Sequence, residues 1–228
     1  MSRPLTPLQS LLRQIVYGGN DGIVTTFAVV AGFAGAQAHG ALELAGVAVL
    51  LFGLANLLAD ATSMGLGEFL SARAQRTVFE RTRRAEEARL SNNGHELVDV
   101  LRAQGLSPAD AAHLGGHLRE HPRIATDLMM RYRVGLADPT DETPALNASA
   151  TFLSFILFGL IPLLPYFLLP PEPGTFRLSI LGAFLALALL GALRARVSGE
   201  GYTRAIAETL LIGGVCAAVA FGVGLMFR

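Results

Sequence analysis

Asp21 is the first residue whose type and position could do chemistry. It stands directly before an apolar stretch without charged side chains, residues 22–42. An acidic side chain here has two interpretations: it caps a helix at a membrane surface, or it works inside the membrane. Ionisable groups inside membrane spans are costly and are usually functional. Asp21 is therefore a candidate metal ligand and proton carrier.

Polar side chains recur at intervals of four residues in a second apolar stretch, residues 44–67. Asn56, Asp60 and Met64 share one stripe of a helix, because each step of four residues advances by only about 40°. Glu68 continues the series by one turn. An amide, carboxylates and a thioether together favour a first-row metal such as Fe²⁺, Co²⁺ or Zn²⁺ over Mg²⁺ and Ca²⁺. The alternative is a polar contact between helices.

A third group of candidate ligands is a row of histidines, His113, His117 and His121. On a helix, side chains four residues apart are neighbours, so adjacent imidazoles of this row could chelate a metal. The alternative is an ordinary solvated polar face.

The segments that must position these residues are apolar. Of the 228 residues, 52% are hydrophobic and only 16% are charged, whereas soluble domains carry about 25% charged residues. A membrane-spanning helix needs roughly 20 mostly apolar residues. Arg177 and Arg194 flank the shortest stretch and can extend their charged ends to the interface. The apolar stretches are residues 22–42, 44–67, 143–171, 178–193 and 209–227.

These stretches predict an all-α integral membrane protein with five transmembrane helices and a cytosolic helical insert between the second and third. Residues 1–67 comprise an N-terminal segment and the first two spans. Residues 68–142 form the charged cytosolic helical insert, which is expected to be a metal-binding domain. Residues 143–228 contain spans three to five.

The insert is predicted to contain several short helices. No proline or glycine occurs between residues 68 and 90, so the second span can continue as a helix until Gly94 stops it. Ser107 reads as a helix N-cap, followed by Pro108 at the first helical position. That helix is expected to run to His121, and two others are expected at 96–104 and 124–132.

Arginine placement predicts the orientation. Arginine-rich short loops stay cytoplasmic, and arginines occur in the N-terminal segment (Arg3, Arg13) and in the loop after the fourth span (Arg194, Arg196, Arg204). The N-terminus and the insert are therefore expected inside and the C-terminus outside. The N-terminal residues lack an apolar signal segment, which favours a bacterial inner membrane. The net charge of zero gives no indication of a nucleic-acid partner.

Three motifs resemble those of one known family. Residues 21–32 read DGIVTTFAVVAG, residues 61–70 read ATSMGLGEFL, and residues 160–166 read LIPLLPY. Together with the insert after the second span, they resemble the vacuolar iron transporter family. The resemblance extends over the chain from Tyr17 onward.

The resemblance implies a homodimeric carrier that moves Fe²⁺, and also Mn²⁺, out of the cytosol in exchange for protons, without a tightly bound cofactor. In that family an aspartate of the first span and a methionine of the second line the ion path, which match Asp21 and Met64. Asn56 stands where plant members have a glutamate, and Asp60, one turn on, is expected to substitute for it.

The resemblance also implies a regulatory divalent metal in the insert. Family members gather metal there with glutamates and a methionine pair. The residues matching these positions are Glu80, Glu86, Glu87, Met129 and Met130. The methionine pair could instead be core packing, and Arg133 stands where an acid is expected.

A carboxyl group removed from water keeps its proton until a cation replaces it, so metal binding and proton release are coupled. Asp21 is the first choice for this exchange, with Asp60 or Glu68 second. An exporter mainly of Mn²⁺ or another divalent metal, and a membrane metal sensor that does not transport, are the alternatives. No HExxH, GxSxG or CxxC motif occurs, so an enzyme is not expected.

Overall fold

The computed structural model describes residues 11–36, 42–92, 95–139, 143–170 and 172–226, and this part of the chain is helical without a β-strand. The predicted all-α class is confirmed. The chain divides into two compact units. Met1–Phe69 and Pro144–Arg228 form the first, which we call the transmembrane unit, and Leu70–Thr143 form the second, which we call the insert unit.

Nine α-helices lie in the described residues, with two shorter helical turns between them. A π-helical segment covers Met130–Val134, and a 3₁₀ turn covers Ile161–Leu163. In chain order the α-helices are α1 (Leu12–Ala36), α2 (Leu42–Asn92), α3 (His95–Ala103), α4 (Pro108–Arg119), α5 (Pro122–Met129), α6 (Pro144–Gly159), α7 (Leu164–Leu168), α8 (Pro173–Ser198) and α9 (Tyr202–Leu225).

Four helical segments among the described residues are long and apolar enough to cross a membrane. They are Gly46–Ser91, Pro144–Leu168, Pro173–Ser198 and Tyr202–Leu225. Helix α1 is not one of the four, although its 25 residues give it the length. Polar residues in its first half, Asn20 and Asp21 among them, lower its hydropathy. Five crossings therefore remain a prediction in which α1 is the additional span.

Helix α1 is surrounded by other helices in the transmembrane unit, packing against α6, α8 and α9. Its Ile23 and Val30 are fully buried in one apolar cluster with Phe155 of α6 and Leu190 of α8. A helix enclosed by protein does not need a lipid-compatible surface on every side. This position explains how α1 can carry an acid, Asp21, and two amides, Gln14 and Asn20.

Small residues let α1 approach its neighbours closely. A Cβ atom added at Gly18 would lie 2.6 Å from the carbonyl oxygen of Thr151 in α6, and Gly22 abuts the backbone at Phe155. At the other end of α1, Gly35 lies against Gly224 of α9. Such contacts are common where membrane helices pack without a hydrophobic driving force. They fix the position of α1 beside α6.

The third apolar stretch is interrupted at its prolines. Helix α6 ends at Gly159, and the 3₁₀ turn Ile161–Leu163 separates it from α7. Pro162 has no N–H to donate within a helix. Its carbonyl oxygen accepts a hydrogen bond of 2.7 Å from the hydroxyl of buried Ser179 in α8. The interruption is thereby held against the neighbouring helix.

Helix α8 is longer than the charge-free stretch 178–193 that predicted it, because it includes the flanking Arg177 and Arg194. It ends at Ser198, and the following Gly199 has a φ of 76°, which suits glycine. Arg194 donates to Glu200 and Glu208, each at 2.7 Å, and so ties the end of α8 to the start of α9.

The insert unit has its own small apolar core. Leu97 and Leu101 of α3 pack with Ala111 and Leu118 of α4 and with Met129 of α5. The predicted N-cap is confirmed, since the Ser107 hydroxyl accepts a hydrogen bond of 3.2 Å from the backbone N–H of Asp110. The helical continuation of the second span is also confirmed, because α2 runs without interruption to Asn92.

The helix boundaries on either side of His121 differ from prediction. Helix α4 ends at Arg119 and not at His121, and α5 begins at Pro122 and not at residue 124. The reason is that proline both prevents the preceding helix from continuing and suits the first position of a new one. The expected stop at Gly94 and the N-terminal Arg3 lie outside the described residues.

Candidate metal pathway

Asp21 lies within α1, more than two turns after the helix begins at Leu12. The interpretation of Asp21 as a helix cap is therefore wrong. The side chain is half-buried, and the hydroxyl of Thr25, one turn on, donates to the Asp21 backbone carbonyl at 2.7 Å. The carboxylate is consequently an acid placed along the side of a packed helix.

Asn56 and Asp60 are directly linked on α2. The Asn56 amide nitrogen donates to one Asp60 carboxylate oxygen at 2.8 Å, and both side chains are half-buried. Because the amide uses its nitrogen in this bond, the Asn56 carbonyl oxygen can still serve as a ligand. The stripe predicted from four-residue spacing therefore presents oxygen donors side by side.

Asp21 and Asp60 come from different helices and are close enough for their charges to repel each other. Two neighbouring carboxylates in a medium of low dielectric constant are stabilised by a proton or a cation between them. This pair is the arrangement in the transmembrane unit that could exchange protons for a metal ion.

The pairs along α1 and α2 show that the two helices run antiparallel. Gln14 lies next to Glu68, Asp21 lies near Asp60, and the Phe33 ring stacks on the Phe52 ring, so residue numbers rise on α1 as they fall on α2. Polar pairs occupy the half of this interface that includes the beginning of α1. The aromatic pair marks the other half.

Gln14 is a candidate site residue that the sequence reasoning missed. Its side-chain nitrogen lies 3.5 Å from a Glu68 carboxylate oxygen, while its own buried oxygen has no hydrogen-bond partner among the described residues. The available signal was its spacing, since seven residues place Gln14 on the same helix face as Asp21. Glu68 and Gln14 form a second polar level, two turns from Asp60 along α2.

Beyond Asp21 and Asp60 the interface becomes apolar. The ring centroids of Phe33 and Phe52 lie 5.8 Å apart in a stacked arrangement. A groove of about 720 Å³ lies beside them, and Asn56 provides its polar side chain. The other lining residues are Ala28, Val29, Gly32, Phe33, Phe52, Ala55, Ala59, Val223 and Gly224. A hydrated ion has few polar partners in this half.

Met64 lies on α2 one turn from Asp60 and one turn from Glu68, between the two polar levels. It is half-buried and packs against the apolar cluster of the transmembrane unit. Its thioether could donate to a soft divalent ion passing between the levels. The same position is also consistent with packing, so its ligand role remains a prediction.

The described residues contain no group of three or more His, Cys, Asp or Glu side chains placed to hold a metal ion. In the transmembrane unit, a cation could be held by the two carboxylates of Asp21 and Asp60 together with the neutral donors Asn56 and Met64. Two anionic and two neutral ligands suit a divalent ion that must bind and then leave.

The candidate ligands of the insert unit do not converge. Glu80 is exposed and pairs with Arg76 on its own helix at 3.5 Å, and Glu87 is exposed. Glu86 is buried and pairs with Arg133. Met129 and Met130 are both 1% exposed, and Met129 belongs to the apolar core. The alternative interpretation of the methionine pair as core packing fits these positions.

Of the three histidines, the structure brings two together. The rings of His113 and His117 are exposed on α4, with centroids 4.9 Å apart in an edge-on arrangement. His121 lies outside that helix as the residue before α5, with φ −123°. The expectation that His121 shares a helix face with the other two is therefore wrong. Chelation by the remaining pair remains a prediction.

Comparison with known proteins identifies the family. The VIT family profile matches residues 12–225. The chain is 31% identical over 216 residues to Vacuolar iron transporter 2 of Oryza sativa subsp. japonica, covering 93% of this chain and 85% of the relative. It is 30% identical to Vacuolar iron transporter 1 of Arabidopsis thaliana, covering 92% of this chain and 84% of the relative.

A relative from a third organism gives a similar result. The chain is 33% identical over 230 residues to the vacuolar iron transporter of Toxoplasma gondii, covering 95% of this chain and 74% of that protein. The family profile spans both α1 and α2, which carry the polar pairs, and extends through the insert unit to α9. The chain belongs to the VIT family.

Proposed function

We propose that this membrane protein exports Fe²⁺ from the cytosol in exchange for protons, with Mn²⁺ as a second substrate. The observation that carries the proposal is the pair of carboxylates, Asp21 on α1 and Asp60 on α2, whose negative charges repel each other. The relatives named as vacuolar iron transporters support iron as the cargo.

The exchange follows from the chemistry of the pair. With no metal bound, a proton on Asp21 relieves its repulsion with Asp60. An arriving divalent ion replaces the proton, because ligands must be deprotonated to bind metal. Protons entering from the opposite side then displace the ion. Asn56 and Met64 supply neutral donors, and Gln14 with Glu68 forms the cytosolic entry level.

The proposed arrangement is a homodimer in a lipid bilayer, with five crossings per chain. The N-terminus and the insert unit lie on the cytoplasmic side and the C-terminus lies on the opposite side, as the arginine distribution indicates. A bacterial inner membrane remains the predicted location, although the relatives are named for the vacuole.

Transport into sealed proteoliposomes tests the function. The purified protein is reconstituted with an internal pH indicator and an internal chelating dye, and Fe²⁺ under reducing conditions or Mn²⁺ is added outside. We expect Fe²⁺ uptake that carries protons the other way and that accelerates when the interior is acidic. Protein-free liposomes provide the control.

The alternatives correspond to other outcomes of the same assay. Faster uptake of Mn²⁺ or another divalent ion than of Fe²⁺ would identify that ion as the main cargo. Saturable metal binding without uptake would identify a non-transporting sensor. Metal uptake without any proton signal would refute the antiport mechanism.

A further inference from the structure

Among the described residues of the insert unit, Arg133 forms the most buried ion pair, with Glu86. One of its guanidinium nitrogens donates to both carboxylate oxygens of Glu86, and the other donates to Glu96. The Glu86 side chain is only 6% exposed, and that of Arg133 is 25% exposed. Through Arg133, the π-helical segment Met130–Val134 is joined to α2 and to α3.

A second arginine completes the cluster. Arg89 lies 3.4 Å from Glu96 and 3.9 Å from Glu86, measured between guanidinium nitrogens and carboxylate oxygens. Two guanidinium groups thus face two carboxylates, and the four charges balance. A neutral cluster has little excess negative charge to attract a divalent ion.

These residues do not fit the metal that the family resemblance implies for the insert. A divalent ion bound to Glu86 would have to displace the Arg133 guanidinium and leave it partly buried without one of its two carboxylate partners. Breaking a buried pair in this way is strongly unfavourable. Arginine also remains charged at any physiological pH, so proton loss cannot free the carboxylates.

We propose that Arg133 is a built-in cation that does the structural work of a bound metal in the insert unit. Its planar guanidinium group makes several charge-assisted hydrogen bonds at once and joins three segments, as a metal ion would. The insert unit consequently keeps its fold at any divalent-metal concentration, and metal binding there does not switch the protein. The proposal is independent of the transport mechanism in the membrane.

Hydrogen–deuterium exchange of the full-length protein in detergent tests this locally. Peptides covering residues 80–103 and 125–138 report on the insert unit separately from the transmembrane unit. In the unmodified protein, we expect 1 mM Mn²⁺, on the order of a saturating concentration for carboxylate sites, to leave exchange in these peptides unchanged. Slower exchange on adding Mn²⁺ would overturn the proposal.

Arg133→Gln removes the cation and leaves buried Glu86 with only the more distant Arg89 guanidinium, 3.9 Å away, as a charged partner. We expect exchange in both peptides to accelerate by at least about tenfold, because opening of these segments becomes easier. The matched control is Arg84→Gln, which removes an exposed arginine of α2, the helix that carries Glu86. It should leave hydrogen exchange in both peptides unchanged. Exchange in Arg133→Gln equal to that of the unmodified protein would also overturn the proposal.

A milder pair of variants covers the case in which Arg133→Gln does not fold. Arg133→Lys keeps the charge but loses the planar group, so exchange should be faster than in the unmodified protein and, where Arg133→Gln folds, slower than in that variant. Glu86→Gln combined with Arg133→Gln removes both buried charges and should recover part of the lost protection. A double variant less protected than Arg133→Gln alone would contradict the coupling.

Discussion

Asp21, Asp60, Asn56 and Met64 combine anionic and neutral donors. The two acids lie on facing helices, while the amide and the thioether lie within a turn of Asp60. A site built only of carboxylates would hold a divalent ion firmly and discriminate little between hard and soft ions. The mixed set is suited to selecting Fe²⁺ and releasing it when protons arrive.

Asp21→Asn should reduce Fe²⁺ transport by at least about tenfold, because the variant loses a negative ligand and a titratable group. Asparagine has nearly the same shape, so the fold should be retained. Metal uptake by proteoliposomes measures the effect, with size-exclusion elution as the check on folding. Asp99→Asn, which removes an exposed acid of α3, is the matched control. Undiminished uptake by a well-folded Asp21→Asn variant would exclude the proposed role.

Met64→Leu tests whether the thioether contributes to selectivity. The substitution conserves volume and apolarity and should change the free energy of unfolding by less than about 1.5 kcal/mol. We expect the preference for Fe²⁺ over Mn²⁺ to fall by about threefold to tenfold, since Fe²⁺ accepts a soft donor more readily. Competition between the two ions in the uptake assay measures it.

The control for that experiment is Met226→Leu, at a side chain that is 82% exposed beyond the end of α9. This substitution should leave the rates of Fe²⁺ and Mn²⁺ uptake unchanged. If Met64→Leu transports both ions as the unmodified protein does, Met64 is a packing residue. Selectivity would then have to come from the oxygen ligands.

At the scale of elements, the sequence was sufficient to predict features that depend only on neighbouring residues. The N-cap at Ser107 and the long continuation of α2 were predicted from neighbouring residues and are confirmed. The position of Asp21 in the interior of α1 was not predicted. An apolar stretch does not show how far its helix extends into the polar residues that precede it. That continuation depends on α6, α8 and α9, which pack against α1.

Gly22→Ala should destabilise the transmembrane unit by about 1–3 kcal/mol, the usual range for overpacking a tight contact. An added Cβ would clash with the α6 backbone at Phe155, which cannot move aside as a flexible side chain can. Thermal unfolding of the detergent-solubilised protein, followed by loss of the folded elution peak, measures the change. We expect a lower midpoint temperature and reduced transport.

Gly67→Ala is the matched control for the packing experiment. This glycine also lies on a helix of the transmembrane unit, α2, but a Cβ atom added there would have no other atom within 4 Å. The change should be neutral or slightly stabilising, because alanine is favoured over glycine in helices by roughly 0.5–1 kcal/mol. Equal destabilisation by both substitutions would show that close packing of α1 on α6 is not the cause.

At the scale of the whole molecule, composition was enough to predict a helical membrane protein, and family membership confirms a membrane transporter and not an enzyme. Contacts between side chains of distant elements could not be predicted from the sequence. The cluster of Glu86, Glu96 and Arg133 joins residues far apart in the chain, and no spacing rule connects them. The Gln14 and Glu68 pair escaped prediction for the same reason.

The number of membrane crossings depends on whether α1 spans the bilayer. If α1 spans the membrane, the N-terminus and the insert unit lie on one side, and the connection between α7 and α8 lies on the other. If α1 does not span, the N-terminus moves to the side opposite the insert unit. Single cysteines at Ser2→Cys, His95→Cys and Glu172→Cys distinguish the two arrangements in a Cys216→Ala background.

An impermeant maleimide is added to sealed, right-side-out vesicles and then to permeabilised ones. We expect Glu172→Cys to react in sealed vesicles, and Ser2→Cys and His95→Cys to react only after permeabilisation, because arginine-rich segments remain cytoplasmic. Transport activity of each variant verifies its folding. Reaction of Ser2→Cys in sealed vesicles, with His95→Cys protected, would leave α1 on one side of the bilayer. The polar half of the α1–α2 interface would then lack the membrane-spanning partner that an ion pathway requires.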